Sequence, residues 1–223
     1  MSAVAEPILP IRVWDAPTRL FHWAIVVLIG VSWLSESLGW MTIHFLSGYS
    51  IIALLLFRLI WGFIGSETSR FSRFLKSPVA ALRHLAHLHW REPDTEIGHN
   101  AAGGWMVLLM LVLLAVQAGT GLCANDDGAT EGPLFNYVGK AWSDWLSRVH
   151  SINFTLIQIA VVLHILAILA YAVLKRHDLV RPMLTGEKYL PMGTQGPVLA
   201  RPWFALVVFA IAVAVVGTVI EVL

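Results

Sequence analysis

The chain of 223 residues has little charge and almost no cysteine, and both shortages limit what it can be. Only 13% of its residues are charged, whereas 57% are apolar, and the mean hydropathy is +0.73. A water-soluble domain is about half apolar and about a quarter charged, so this composition indicates a protein that resides in membrane lipid. The single cysteine, Cys123, excludes a disulfide framework and cysteine-bound iron–sulfur clusters.

The sequence also lacks the motifs of hydrolytic and nucleotide chemistry. It contains no phosphate-binding glycine loop, no zinc-ligand spacing and no evident pairing of a nucleophile with a base. The net charge of +1 gives no indication that the chain binds nucleic acid. The first apolar stretch has no convincing cleavage site, so it is not interpreted as a removable signal peptide.

Five long apolar segments are the main feature that is present. Each approaches or exceeds the length of about 20 residues that spans a bilayer as a helix. Open sheets cannot span lipid, and the segments are too long for barrel strands. The segments run over Thr18–Ser37, Met41–Gly65, Ala102–Ala124, Val149–Leu174 and Pro202–Val222. The sequence therefore predicts an all-α integral membrane protein.

The distribution of Lys and Arg predicts how these segments are oriented. Thirteen of the 15 basic residues precede the first segment or lie in the second and fourth connections with their flanks. The opposite side has only Lys140 and Arg148. Because basic residues accumulate on the cytoplasmic side, we expect the N-terminus inside and the C-terminus outside.

The connections between the segments give weaker signals. Residues Pro78–Trp90 predict a short amphipathic helix on the inner membrane surface. The outer connection from Asn125 to Trp145 contains Gly and Pro and is predicted to be irregular. The stretch Gly186–Pro197 is interpreted as a linker to the last segment.

Four histidines lie at matching depths in the predicted helices. His150 and His164 are fourteen residues apart, close to four helical turns, so they share one face about 21 Å apart. The predicted orientation places His44 at the outer level of His150, and His22 at the inner level of His164. An iron with two imidazole ligands has both axial positions filled. The four residues therefore predict two haems, each held without covalent links, although a lone intramembrane histidine can instead bond a neighbouring helix.

Two further residues share the face of His44. Gly48 lies one turn later and either leaves room for a flat macrocycle or permits close helix packing. Arg58 lies fourteen residues after His44, near the inner side. Because an intramembrane arginine is costly, Arg58 is expected either to pair with a haem propionate or to extend to the inner headgroups.

The other polar residues are given milder interpretations. Three histidines on the predicted surface helix have no carboxylate or cysteine to complete a metal site and are interpreted as interfacial: His84, His87 and His89. His99 either bonds a propionate or quinone or caps the third helix. His177 is interpreted as part of a solvated basic flank, and Asp126 and Asp127 as solvated residues of the outer loop.

Several stretches resemble the bacterial cytochrome b561 family, and especially the cytochrome b subunit of membrane-bound nickel–iron hydrogenases. The likeness covers about Val13 to Glu187. It is carried by the His150 and His164 spacing and by three motifs: VWDAPTRLFHW, IHFLSGYSIIALLLFRLIWGFIG and IGHNAAGGWMVLLMLVLLAVQAGTGL. The resemblance implies a four-helix transmembrane bundle that holds two haems b in the bacterial cytoplasmic membrane. It assigns the ligand role to His22, His44, His150 and His164.

The resemblance also implies electron transfer between a periplasmic redox partner and the quinone pool. Residues 1–188 would form the di-haem domain, and residues 189–223 a linker and an additional C-terminal transmembrane helix. The chain departs from the hydrogenase subunits at Ser147, where a histidine is usual, and at Ala101, where proline is usual. These departures suit a related cytochrome with another partner, such as a c-type cytochrome.

Other functions stay open on the sequence. Two alternatives are a haem-poor anchor for a periplasmic redox enzyme and a proton channel that uses the histidines as a relay. A channel normally pairs histidine with carboxylates, and the second to fourth segments contain no Asp or Glu. One branch of the family oxidises superoxide and reduces quinone, so a quinone-linked oxidoreductase is a further possibility. The sequence does not give the donor, the acceptor, the direction of electron flow or the quinone site.

Overall fold

The computed structural model describes residues 7–87, 89–90 and 94–222, most of which are helical. Leu88, in the predicted surface helix, and Arg91, counted among the inner basic residues, lie outside the described residues. The elements in chain order are β1 (Ile8–Arg12), α1 (Ala16–Ser37), α2 (Met41–Ile64), α3 (Phe71–Phe74), α4 (Pro78–Ala86), α5 (Ala101–Gly121), α6 (Phe135–Val138), α7 (Lys140–Ala170), α8 (Val180–Thr185), β2 (Glu187–Pro191) and α9 (Pro202–Val222).

Five of these helices are long and apolar enough to cross a membrane, as the sequence predicts: α1, α2, α5, α9 and α7 with its extension to Lys175. The extension is a single π-helical turn, Tyr171–Lys175. The predicted surface helix is also present, as α4, but it ends at Ala86. The serine side chain of Ser77 accepts a hydrogen bond from Ala80 N at 3.2 Å and caps its first turn.

The prediction of an irregular connection from Asn125 to Trp145 is wrong in its second half. Residues Phe135–Val138 form α6, and α7 begins at Lys140, well before the predicted Val149. Gly139 separates the two helices with a φ of +75°, a conformation that suits glycine. The first turns of α7 are polar and are supported by an ion pair between Lys140 and Asp144, four residues apart, at 2.7 Å. The length of the apolar segment therefore predicted only the apolar part of α7 and not its polar first turns.

The prediction of an all-α protein is wrong in one detail, because two short strands pair near the chain ends. Strands β1 and β2 are antiparallel, with Ile8 opposite Pro191 and Arg12 opposite Glu187. The linker predicted over Gly186–Pro197 is therefore partly a strand, and the predicted boundary between residues 188 and 189 falls inside β2.

The described chain forms two compact units. The first combines Met1–Leu20, Ile60–Val107 and Leu163–Ala205, and the second combines Phe21–Leu59, Leu108–Val162 and Leu206–Leu223. In the first unit, Val13, Trp14 and Leu190 form a buried cluster beside the sheet. Gly186 O accepts hydrogen bonds from Val13 N at 2.8 Å and from Trp14 N at 3.1 Å, and these bonds hold the start of α1 against the end of α8.

The second unit has an apolar core to which four helices contribute. One buried residue comes from each of α1, α2, α5 and α7: Ile25, Ile51, Leu114 and Ile157. Because lipid tails are as apolar as these side chains, their contacts stabilise helix packing through van der Waals attraction rather than through removal from water. This core fixes the relative positions of the α2 and α7 residues discussed next.

Candidate cofactor site

His44 and His150 lie together in the second unit, as their predicted common depth requires. The centroids of the two imidazole rings are 6.4 Å apart and the ring planes are inclined by 73°. An imidazole nitrogen bonds a metal ion at about 2 Å, so two rings on opposite sides of one ion have their centres about 6 Å apart. The separation of the two rings therefore fits axial ligation of a single iron.

The His44 ring is oriented by the backbone of α1. Its Nδ1 atom lies 2.9 Å from the carbonyl oxygen of Ser32 and 3.3 Å from the Ser32 hydroxyl. Because a carbonyl oxygen can only accept, the hydrogen of a neutral His44 ring is on Nδ1. The Nε2 atom then keeps its lone pair, which is the form of histidine that binds a metal.

The His150 ring is oriented in the same way by α5. Its Nδ1 atom lies 2.9 Å from the carbonyl oxygen of Gln117 and 3.2 Å from the Thr120 hydroxyl. Asn153, which is 4% exposed, donates hydrogen bonds to Leu113 O at 2.9 Å and to the Gln117 side-chain oxygen at 2.7 Å. These two hydrogen bonds attach α7 to α5 and thereby hold the His150 ring beside its acceptor, the carbonyl oxygen of Gln117.

Two glycines border the cleft that contains both rings. A Cβ atom added to Gly121 would lie 2.9 Å from His150 Cε1, so a larger residue there would displace the ring. A Cβ added to Gly48 would meet no atom within 4 Å. Gly48 therefore faces open space, and the alternative that it permits close helix packing does not apply. The cleft is otherwise mainly apolar, with Phe45, Ile52 and Pro133 among its walls.

This donor set fits a haem held by two histidines. His44 and His150 could each offer Nε2 to an iron between them, and apolar walls beside an open glycine would suit the flat, mostly apolar macrocycle. The sequence identified His44, His150 and Gly48 from helical spacing. It did not identify Ser32 and Gln117, because their contribution is a backbone carbonyl that every residue possesses.

The other two predicted ligands, His22 and His164, belong to different compact units. His22 lies in the part of α1 that belongs to the second unit, with its ring 4.9 Å from that of Trp23 and nearly perpendicular to it. His164 lies in the part of α7 that belongs to the first unit. Their pairing stays a prediction. Arg58 is only 2% exposed, so its side chain does not extend freely to the surface, and its pairing with a propionate also stays a prediction.

The remaining histidines differ from their sequence interpretation in two cases. His177 is not a solvated flank: its side chain is 14% exposed and its Nδ1 lies 3.7 Å from Asp94 Oδ2. His99 does not cap α5, because the side chain of Asn100 does so by accepting a hydrogen bond from Gly103 N at 2.7 Å. The His99 ring instead lies against two aromatic rings of the first unit, those of Trp14 and Phe74.

Two histidines in and just after the surface helix α4 make specific contacts that the interfacial interpretation did not predict. His84 Nε2 lies 2.6 Å from the hydroxyl of Tyr171, to which Asn100 donates a hydrogen bond at 3.0 Å. The His87 ring stacks on that of Trp90 at 4.1 Å. His84 therefore attaches α4 to the π-helical turn at the end of α7.

The chain is similar to known cytochromes over most of its length. A sequence profile described as prokaryotic cytochrome b561 matches residues 13–186. A probable Ni/Fe-hydrogenase B-type cytochrome subunit of Bradyrhizobium diazoefficiens is 25% identical over 83% of this chain and 88% of its own length. Proteins of the same description from Rhizobium leguminosarum bv. viciae and Rhodobacter capsulatus are 25% and 26% identical, over 80% of this chain in each case and 88% and 81% of their own lengths. No solved structure gives a significant match.

Proposed function

The chain belongs to the prokaryotic cytochrome b561 family, whose members are haem-containing membrane proteins of electron transport, and on that premise we propose that it is a di-haem carrier. It would transfer electrons across the bacterial cytoplasmic membrane between a periplasmic redox partner and the quinone pool. The observation that carries the proposal is the paired orientation of His44 and His150, each with Nδ1 bonded to a backbone carbonyl and the rings 6.4 Å apart.

A haem b held by His44 and His150 would supply a one-electron iron couple, and with both histidines bound it would carry electrons rather than oxygen. The residues of the chain make that couple usable. The carbonyls of Ser32 and Gln117 fix the ring tautomers, so that neither ligand nitrogen must lose a proton before it binds iron. The apolar walls of the cleft keep water away from the ligands, which limits reorganisation on electron transfer.

A second haem is proposed on sequence grounds. His164 follows His150 by fourteen residues on α7, and His22 lies near the start of α1 at the matching predicted depth. Arg58 would serve a haem propionate, and Gly48 would admit the macrocycle beside His44. The two haems would lie in a four-helix bundle of α1, α2, α5 and α7, in a domain of residues 1–188, with α9 as an additional helix after the linker.

The partner is proposed from the relatives and from the charge pattern. The names of the relatives make a hydrogenase the first candidate on the periplasmic side. The departures at Ser147 and Ala101 favour a different periplasmic protein, such as a c-type cytochrome. The excess of Lys and Arg in the predicted inner connections supports a topology with the N-terminus in the cytoplasm and the C-terminus in the periplasm.

Haem content and visible spectra of ligand variants test the proposal. We expect two haems b per purified chain, and one after His44→Ala, His150→Ala, His22→Ala or His164→Ala. His87→Ala is the matched control, because this histidine stacks on Trp90 and should leave both haems in place. A colourless preparation, or ligand variants that keep two haems, would overturn the proposal.

The proposed electron transfer across the membrane is tested by adding redox partners in turn. With the chain in proteoliposomes, we expect quinol and a periplasmic donor to exchange electrons with haems of different potential. Copurification of a hydrogenase with the tagged chain would identify that enzyme as the partner, whereas reduction by a soluble c-type cytochrome would favour the alternative. If neither quinone nor any periplasmic protein changed the haem spectrum, the carrier role would be wrong.

A further inference from the structure

The two carbonyls that orient His44 and His150 have a second feature in common. Ser35, one turn along α1, donates its hydroxyl hydrogen to Ser32 O at 3.1 Å. Thr120 on α5 places its hydroxyl 3.1 Å from Gln117 O. Each carbonyl oxygen that accepts from an imidazole N–H is therefore also approached by a hydroxyl of its own helix.

Both hydroxyls are enclosed by the protein. Ser35 is 2% exposed and Thr120 is 8% exposed. The Thr120 hydroxyl divides its donation between Gln117 O and Val116 O, the latter at 2.7 Å. Because these groups are shielded from water, their hydrogen bonds act on the carbonyls at a lower dielectric than surface bonds would.

A further donor changes how strongly a carbonyl oxygen binds the imidazole N–H. Each of these oxygens also accepts the helical N–H four residues later, so the hydroxyl shares the oxygen with two other donors, and each bond draws electron density from it. The bond from the imidazole Nδ1–H is then weaker, so the ring has less anionic character and donates less to a metal on Nε2. Outer hydrogen bonds of this kind set ligand basicity and the potential of a bound iron.

We propose that Ser35 and Thr120 are positioning residues that raise the reduction potential of the haem held by His44 and His150, by weakening the Nδ1–H bonds to Ser32 O and Gln117 O. This inference rests on the proposed function, because it requires a haem at this pair. It assigns a role to two residues that touch neither the macrocycle nor the iron. The two effects act on different ligands and therefore combine.

The test is a haem-resolved redox titration of the purified holoprotein. Removing the hydroxyl in Ser35→Ala strengthens the imidazole bond, so the oxidised iron is favoured and the potential of this haem falls. Thr120→Val acts in the same direction through Gln117 O, because this carbonyl lies closer to His150 Nδ1, at 2.9 Å, than the Thr120 hydroxyl does, at 3.2 Å. We expect the ratio of oxidised to reduced haem at a fixed potential to rise between about threefold and tenfold, where tenfold corresponds to about 59 mV for a one-electron couple. The second haem should keep its potential, and the low-spin bis-histidine spectrum should persist.

Matched controls separate tuning from general disturbance. The Ser37 hydroxyl, on the same helix as Ser35, donates to Trp33 O at 2.9 Å, and the Thr155 hydroxyl lies 3.5 Å from Ser151 O. Neither of these carbonyls orients His44 or His150, so Ser37→Ala and Thr155→Val should leave both potentials unchanged. Thr120→Ser keeps the hydroxyl and should keep the parent potential.

The outcomes are distinct. Unchanged potentials in Ser35→Ala and Thr120→Val, with the bis-histidine spectrum intact, would overturn the inference. Equal falls in the two control variants would also overturn it. If Ser35→Ala loses its haem, the inference is tested by Thr120→Val against Thr120→Ser, and equal haem potentials in these two variants would overturn it. If His44→Ala keeps both haems, the proposed function fails first, and this result is visible without any titration.

Discussion

The hydroxyl of Ser66 accepts a hydrogen bond from the backbone N–H of Ala200 at 2.9 Å. Beside it, Glu67 N donates to Val198 O at 3.0 Å, and the Glu67 carboxylate accepts from Val198 N at 3.1 Å. Ser66 follows α2, and Ala200 lies two residues before α9 begins. The entry to the fifth helix is therefore attached to the loop after the second by three bonds.

Replacing Ser66 with alanine should destabilise the protein. Ser66 is fully buried, so Ser66→Ala leaves the Ala200 N–H without its acceptor, at a cost of about 1–3 kcal/mol. Thermal unfolding in detergent measures the effect. The control is Ser50→Ala, whose exposed hydroxyl bonds Leu46 O inside α2 and should change stability by less than about 0.5 kcal/mol. Equal unfolding temperatures for the two variants would contradict the prediction.

A large side chain at Gly48 should exclude the haem without disturbing the polypeptide. Because a Cβ at this position meets no protein atom within 4 Å, Gly48→Leu has room to fold but fills the space beside His44. We expect one haem per chain in place of two, with an unchanged circular dichroism spectrum. Gly217→Leu on α9 is the control, because its Cβ also meets nothing within 4 Å. Retention of both haems in Gly48→Leu would argue against this cleft.

The orientation can be tested by labelling single cysteines. In a Cys123→Ser background, Ala129→Cys lies in the exposed outer loop and Gln195→Cys in the exposed segment after β2. An impermeant maleimide added to intact spheroplasts should label position 129 and leave position 195 unlabelled until the cells are lysed. The reverse pattern would show that the N-terminus is outside.

The loop after α5 should lose order in acid through Asp126. Hydrogen bonds from the backbone N–H groups of Thr130 and Gly128, at 3.0 and 2.8 Å, hold the pKa of the Asp126 carboxyl below its usual value. A lowered folded-state pKa adds stability above the unfolded value, about 3.9, and this stability is lost as the pH falls through the folded value. The protection of Thr130 N against hydrogen exchange, relative to its intrinsic exchange rate at each pH, should therefore fall only below about pH 4. In Asp126→Asn, this acid-dependent step should be absent.

The five long helices could be predicted from the sequence because the length of an apolar segment is a local property. It missed the polar beginning of α7, which depends on Gly139 and an ion pair rather than on hydropathy. It also missed the β1–β2 pairing, because the two strands are short and far apart in the chain. Their register depends on burial of Leu190 against Val13, which no local pattern reveals.

The candidate site was predictable to a similar degree. Helical spacing and charge distribution were enough to propose His44 and His150 as a pair, since both are regular along a helix. The acceptors that orient the rings belong to the backbone, so residue type does not mark them. The contact of His177 with Asp94 was missed for another reason: two basic neighbours suggested a solvated flank, whereas the chain folds back and encloses the ring.

The strand pairing near the chain ends has a consequence for how the protein is made. β1 is synthesised before its partner strand, which follows only after α1 to α8. Strand β1 must therefore wait, unpaired, through four membrane insertions, and the closing step joins two parts of the polypeptide that are far apart in sequence. A chain cut at residue 186, where the match to the family stops, would retain the four proposed ligand histidines but would lack the strand that completes this pairing.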